Sequence, residues 1–82
     1  MSAGQEQSVA VEVRLFATLR AGRFKSQVLD LPAGAIAGDV LARLGIAPDE
    51  VAILLVNGRE GDASCPLSDG ATLSLFPGVG GG

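Results

Sequence analysis

The sequence predicts an α+β fold of element order β-β-α-β-β, a single sheet covered on one face by one main helix. Three observations carry this reading: period-two alternation near the start of the chain, a helix-spaced apolar set in its middle, and two short apolar runs after it. The 82 residues suffice for one compact domain, taken as 1–82. A core of that size buries only roughly 60% of the surface exposed by the unfolded chain.

Val9, Val11, Val13 and Leu15 alternate with Ala10, Glu12, Arg14 and Phe16, as in a strand with one buried face. Residues 18–23 contain a glycine and two arginines and read as a turn. Residues 25–31 then alternate again, with Leu29 and Leu31 inward and Asp30 outward, so the first two strands form a hairpin. Pro32-Ala33-Gly34 ends that pattern, and Ile36, Val40, Leu41 and Leu44 recur at helical spacing. They describe a helix of about ten residues, stopped by Gly45. Its start is weak, because Ala35 cannot accept a capping hydrogen bond and Gly38 costs up to about 1 kcal/mol relative to alanine. Tertiary packing is expected to hold it.

Pro48-Asp49-Glu50 turns the chain into residues 51–56, apolar at every position, which predicts a strand covered on both faces. Asn57-Gly58 is the strongest turn signal in the chain. Arg59 and Glu60 have room to pair only briefly before residues 61–66 loop away, and Ser68-Asp69-Gly70 turns into a last strand over 71–76. The polar segment 1–8 and the glycine-rich tail 77–82 are expected to be flexible.

Composition narrows the function. The formal net charge is −3, and residues 45–82 set one basic side chain, Arg59, against Asp49, Glu50, Glu60, Asp62 and Asp69. The basic residues form no stripe and have no aromatic interleaving, which argues against nucleic acid and for a partner with a basic pocket. No apolar run approaches the roughly 18 residues of a membrane span. The polar start lacks the basic and apolar regions of a signal peptide, so a cytoplasmic protein with no membrane role is expected.

An inventory of reactive groups is short. With one cysteine, Cys65, and no histidine, neither a disulfide framework nor a metal site is expected, and a Ser-His or Cys-His nucleophile is impossible. Lys25 has no evident means of lowering its pKa, and Asp49 and Glu50 read as solvated turn residues. Cys65 precedes a proline without clustered basic neighbours and reads as a small hydrophobe. No side-chain active site of the chain's own emerges.

The tail is the remaining candidate. Gly78-Val79-Gly80-Gly81-Gly82 superficially resembles a phosphate loop, but no helix follows it. Glycines without Cβ pass through a channel too narrow for side chains, and the segment from Pro77 to Gly82 reaches roughly 20 Å when extended. Its distinctive group is the Gly82 carboxylate. If Val13, Leu15, Leu73 and Leu75 point inward, Phe16 and Phe76 point outward. An exposed aromatic pair beside such a tail suggests a docking patch.

Five blocks taken in order, Leu15-Phe16-Ala17-Thr18-Leu19-Arg20, Asp39-Val40-Leu41-Ala42-Arg43-Leu44-Gly45, Val56-Asn57-Gly58, Leu67-Ser68-Asp69-Gly70 and Leu75 through Gly82, resemble the MoaD/ThiS family of ubiquitin-like sulfur carriers over about residues 9–82. Within the family, the Leu-Phe-Ala opening and the Phe-Pro start of the tail are most similar to the small subunit of molybdopterin synthase. The resemblance implies a β-grasp (ubiquitin-like) fold with a mixed sheet, whose first and last strands lie side by side in parallel and bring Phe16 and Phe76 together.

It also implies a chemistry. An ATP-dependent adenylating enzyme would activate Gly82, next to Gly81, because a carboxylate needs a good leaving group before it is an electrophile. A sulfur donor such as a cysteine desulfurase system would then convert it to a thiocarboxylate. The large subunit of molybdopterin synthase would receive the tail, with Phe16, Phe76, Pro77, Val79 and Gly80 as partner-binding residues, and the chain would bind no cofactor itself. Related outcomes are delivery of sulfur to thiamine, cysteine or another thiolated metabolite, ligation of Gly82 to a lysine as a protein modifier, and a plain interaction module. Where the family commonly has two prolines before the final segment, this chain has Pro77-Gly78, which implies a looser tail that loses more entropy when ordered.

Overall fold

The computed structural model describes residues 8–78. Its elements are β1 (Ser8–Leu15), β2 (Ser26–Pro32), α1 (Ala37–Leu44), β3 (Val51–Val56), β4 (Arg59–Glu60) and β5 (Thr72–Pro77), with 3-10 turns at Ala17–Arg20 and Pro48–Glu50. The strands form one mixed sheet in the order β2-β1-β5-β3-β4. β1 lies antiparallel to β2 and parallel to β5, while β3 lies antiparallel to both β5 and β4. This is the ubiquitin-like β-grasp arrangement, and the brief Arg59–Glu60 pairing supplies its fifth strand.

The alternation in the sequence sets which face is buried. Val11, Val13 and Leu15 of β1, Leu29 and Leu31 of β2, Leu54 of β3, and Leu73 and Leu75 of β5 turn toward Ala37, Val40 and Leu41 of α1 and form one core with them. Burying each large aliphatic side chain stabilises the fold by about 1.5–3 kcal/mol. Asn57 and Gly58 carry φ values of 54° and 81°, the positive angles that a tight turn between β3 and β4 requires.

The helix is shorter than its apolar spacing suggests, and its cap comes from elsewhere in the chain. Ile36 is extended, with φ −118°, because residues 35–37 pair briefly with residues 65–67: Leu67 N–H donates to the Ala35 carbonyl and Ala37 N–H to that of Cys65, each at 2.9 Å. Gly38 N–H donates to the Ala63 carbonyl at 2.7 Å, and Ile36 N–H to the Asp39 carboxylate at 2.9 Å. Donors left unpaired at a helix start are thereby satisfied without a capping hydroxyl. A Cβ on Gly38 would lie 3.2 Å from the Ala63 oxygen, so glycine at this position lets the loop approach. At the other end, Gly45 adopts φ 72°. There the Arg23 guanidinium donates to the carbonyls of Leu44 at 3.0 Å and Gly45 at 3.3 Å, and to that of Leu19 at 3.1 Å.

β3 is not covered on both faces. Only Leu54 is buried, and Ile53 is 43% exposed, because α1 lies over one side of the sheet and no described element lies over the other. The register also shifts between Val51 and Ile53. At the chain ends, Ser8 pairs opposite Pro32 and Pro77 opposite Val51, so the sheet extends one residue into each segment expected to be flexible. Residues 1–7 and 79–82 lie outside the described residues. Among the described residues, no helix is long and apolar enough to cross a membrane.

Candidate functional site

The outer face of the sheet carries an aromatic row. Leu15 lies opposite Leu75 in the parallel β1–β5 pair, so the next residue on each strand, Phe16 and Phe76, faces away from the core. Their rings stack with centroids 4.2 Å apart and planes 11° from parallel. Phe16 N–H donates to the Leu75 carbonyl at 3.2 Å, extending the ladder to the point where the rings meet. On the other side of β5, Phe76 lies opposite Ile53. Ile53, Phe76 and Phe16 therefore line up across three strands, all partly open to solvent.

Local geometry fixes each member. Phe76 sits in the central strand with pairing on both sides. Phe16 stands where β1 ends, and Ala17 turns the chain away at φ 53°, an angle uncommon for residues with a Cβ. The buried Leu19 anchors the turn, its N–H donating to the Phe16 carbonyl at 3.1 Å. Immediately after Phe76, Pro77 is the last strand residue and Gly78 is exposed. Pro77 and Gly78, the described residues that lead into the tail, therefore follow directly on the row.

Beside Phe16 opens a cleft of about 290 Å³ lined by Glu12, Arg14, Leu15, Phe16, Arg20, Lys25 and Ser26. Arg14 Nε lies 2.9 Å from Glu12 Oε2, an exposed pair contributing at most about 1 kcal/mol. The other reactive groups stand apart from this face. Cys65 is half-buried in the loop that caps α1. Asp62 accepts hydrogen bonds from the Ser64 hydroxyl at 2.6 Å and the Ser64 amide at 2.9 Å, which hold its carboxyl below the usual aspartate value. Glu50 closes its own turn by accepting from Ala47 N–H at 3.3 Å. Among the described residues, no group of His, Cys, Asp or Glu is arranged to hold a metal ion.

Of the residues singled out from sequence, the structure brings Phe16 and Phe76 into contact and places Pro77 next to them. Val79, Gly80, Gly81 and Gly82 lie outside the described residues. Ile53, Arg20 and Lys25 are additions. Ile53 is hidden in a uniformly apolar run, whereas the two basic residues have a signal in the sequence: residues 13–29 contain Arg14, Arg20, Arg23 and Lys25 and no acidic side chain.

The ThiS family matches residues 13–82. Among solved structures, the HVO 2177 protein of Haloferax volcanii is 31% identical with a TM-score of 0.77, the match covering 100% of this chain and 94% of that one. Small archaeal modifier protein 1 of the same organism is 27% identical with a TM-score of 0.71, covering 87% and 99%. A Pyrococcus furiosus protein assigned as molybdopterin converting factor, subunit 1 is 27% identical with a TM-score of 0.71, covering 88% and 100%. No curated protein matches the chain.

Proposed function

The chain belongs to the ThiS family, and from that premise we propose that it is a sulfur carrier whose Gly82 carboxylate is adenylated, converted to a thiocarboxylate and spent as a sulfur donor, acting as the small subunit of molybdopterin synthase in molybdenum cofactor biosynthesis. One observation carries the reading: an aromatic row on an uncovered sheet face stands where the strand hands over to the glycine tail. A partner seated on that row would hold the domain while the segment from Pro77 to Gly82 reaches up to roughly 20 Å when extended.

Each step assigns a task to a partner. The carboxylate attacks the α-phosphorus of ATP on the adenylating enzyme, and pyrophosphate leaves. The terminal sulfur of a persulfide on a donor such as a cysteine desulfurase system then displaces AMP at the Gly82 carbonyl carbon. A thiol cleaves the S–S bond of the resulting acyl disulfide, leaving as a disulfide and releasing the thiocarboxylate. The large subunit of the synthase takes up the thiocarboxylate and passes its sulfur to the pterin precursor. The carrier contributes position and reach, and Gly80 and Gly81 supply clearance. The likeness to the Pyrococcus protein supports the molybdopterin branch. The same thiocarboxylate would serve a thiamine, cysteine or other acceptor equally well.

Intact-mass measurement of protein from its native host tests the reading, the expected species being heavier by one oxygen-to-sulfur exchange at Gly82. Residues found beyond Gly82 would mean that a protease must first expose it. Reconstitution with the large subunit tests the branch, and authentic thiocarboxylate that yields no dithiolene would sink it. A second reading, ligation of Gly82 to a target lysine, draws support from the likeness to small archaeal modifier protein 1. It predicts covalent ladders on denaturing gels of native extracts.

A further inference from the structure

Folding gathers positive charge beside the aromatic row of a chain whose formal net charge is −3. Three of the basic residues between 13 and 29, namely Arg14, Arg20 and Lys25, line the cleft walled by Phe16. The fourth, Arg23, is engaged with the carbonyls at the end of α1. Arg14 is paired with Glu12. Arg20 and Lys25 are exposed and have no side-chain partner among the described residues.

We propose that this cleft is the electrostatic half of the docking surface and receives an acidic segment of the adenylating enzyme, whose carboxylates face Arg20 and Lys25 while an apolar side chain covers Phe16 and Phe76. The proposal rests on the sulfur-carrier reading. Whole-chain acidity points instead to a partner with a basic pocket, but a docking protein responds to the charges nearest its contact. Charge farther than the Debye length, about 8 Å at physiological salt, is largely screened. A free small anion fits the cleft less well, because its cations are solvent-exposed and screened; a protein partner excludes water there and adds apolar contact with the adjoining rings. Charges at such a rim act chiefly on the rate of association.

The experiment measures the second-order rate of Gly82 adenylation by the purified adenylating enzyme at low and at moderate ionic strength. It uses Arg20→Glu and Lys25→Glu, singly and together. Arg59→Glu makes the same charge change as either single variant, on β4, away from the cleft. The double variant is expected to be slower by about tenfold at low ionic strength and to lose the wild type's decline in rate with added salt, while Arg59→Glu stays within about twofold of wild type. Equal slowing by Arg59→Glu and Lys25→Glu, or no slowing in the double variant, would overturn the acidic docking segment and leave the Gly82 chemistry standing. Failure of the wild type to be adenylated would remove the sulfur-carrier reading and this proposal together.

Discussion

Phe16 and Phe76 are held by different means, and the difference can be measured. Phe76 is fixed within the central strand, whereas Phe16 depends on a turn whose first residue, Ala17, sits at φ 53°. That region costs a residue with a Cβ about 1–2 kcal/mol, and glycine's extra freedom in the unfolded chain offsets about 0.5–1 kcal/mol of the relief. Ala17→Gly is therefore expected to stabilise the domain by about 0.5 kcal/mol, read from the urea midpoint. The rings themselves should couple: a double-mutant cycle of Phe16→Ala and Phe76→Ala is expected to give about 0.5–1.5 kcal/mol of interaction in unfolding. Each variant should also slow adenylation, although Gly82 is untouched. Both phenylalanines were legible in the sequence because strict alternation on β1 and β5 assigns every side chain to a face. Ile53 was not legible. A run in which every residue is apolar carries no parity, and the register shift after Val51 would have upset a count along it.

The ends of α1 are built by other elements, which is why its apolar face was legible and its boundaries were not. The carbonyls that satisfy its first amides come from Ala63 and Cys65, far outside any local sequence window. The loop that carries them is shaped by Asp62, whose carboxyl is held below the ordinary aspartate value of 3.8 first by the Ser64 hydroxyl and then by the Ser64 amide. A carboxylate with a lowered folded pKa adds stability that is complete above its unfolded pKa and is lost as pH falls through the folded one. Ser64→Ala should thus be less stable than wild type at neutral pH, and the difference should shrink as the solution is acidified below about pH 4. A difference that widened in acid would contradict the assignment. At the opposite end, Arg23 joins α1 to the Phe16 turn through three carbonyls. Arg23→Met is expected to cost about 2 kcal/mol in denaturant unfolding. Arg23→Lys should recover only part, since an ammonium lacks the planar fork that spans several acceptors.

At the scale of the molecule, the fold depends on β5. Leu73 and Leu75 are fully buried at the middle of the sheet, and Leu73→Ala is expected to remove about 2–5 kcal/mol. A domain of this length has only about 4–12 kcal/mol to lose, so the variant's urea midpoint should fall steeply. A loss below about 1 kcal/mol would mean that the core collapses around the gap. The parallel β1–β5 neighbourhood also joins the first strand made to the last, and such distant pairings are slow to form. In a chain that ends at residue 71, β1 has no parallel neighbour and β3 lacks its longer ladder. Phe16 then has no ring to stack against. On the proposed reading, a chain cut short before β5 would therefore offer an activating enzyme no grip, because the aromatic row is assembled only when the strand that leads into the tail is in place.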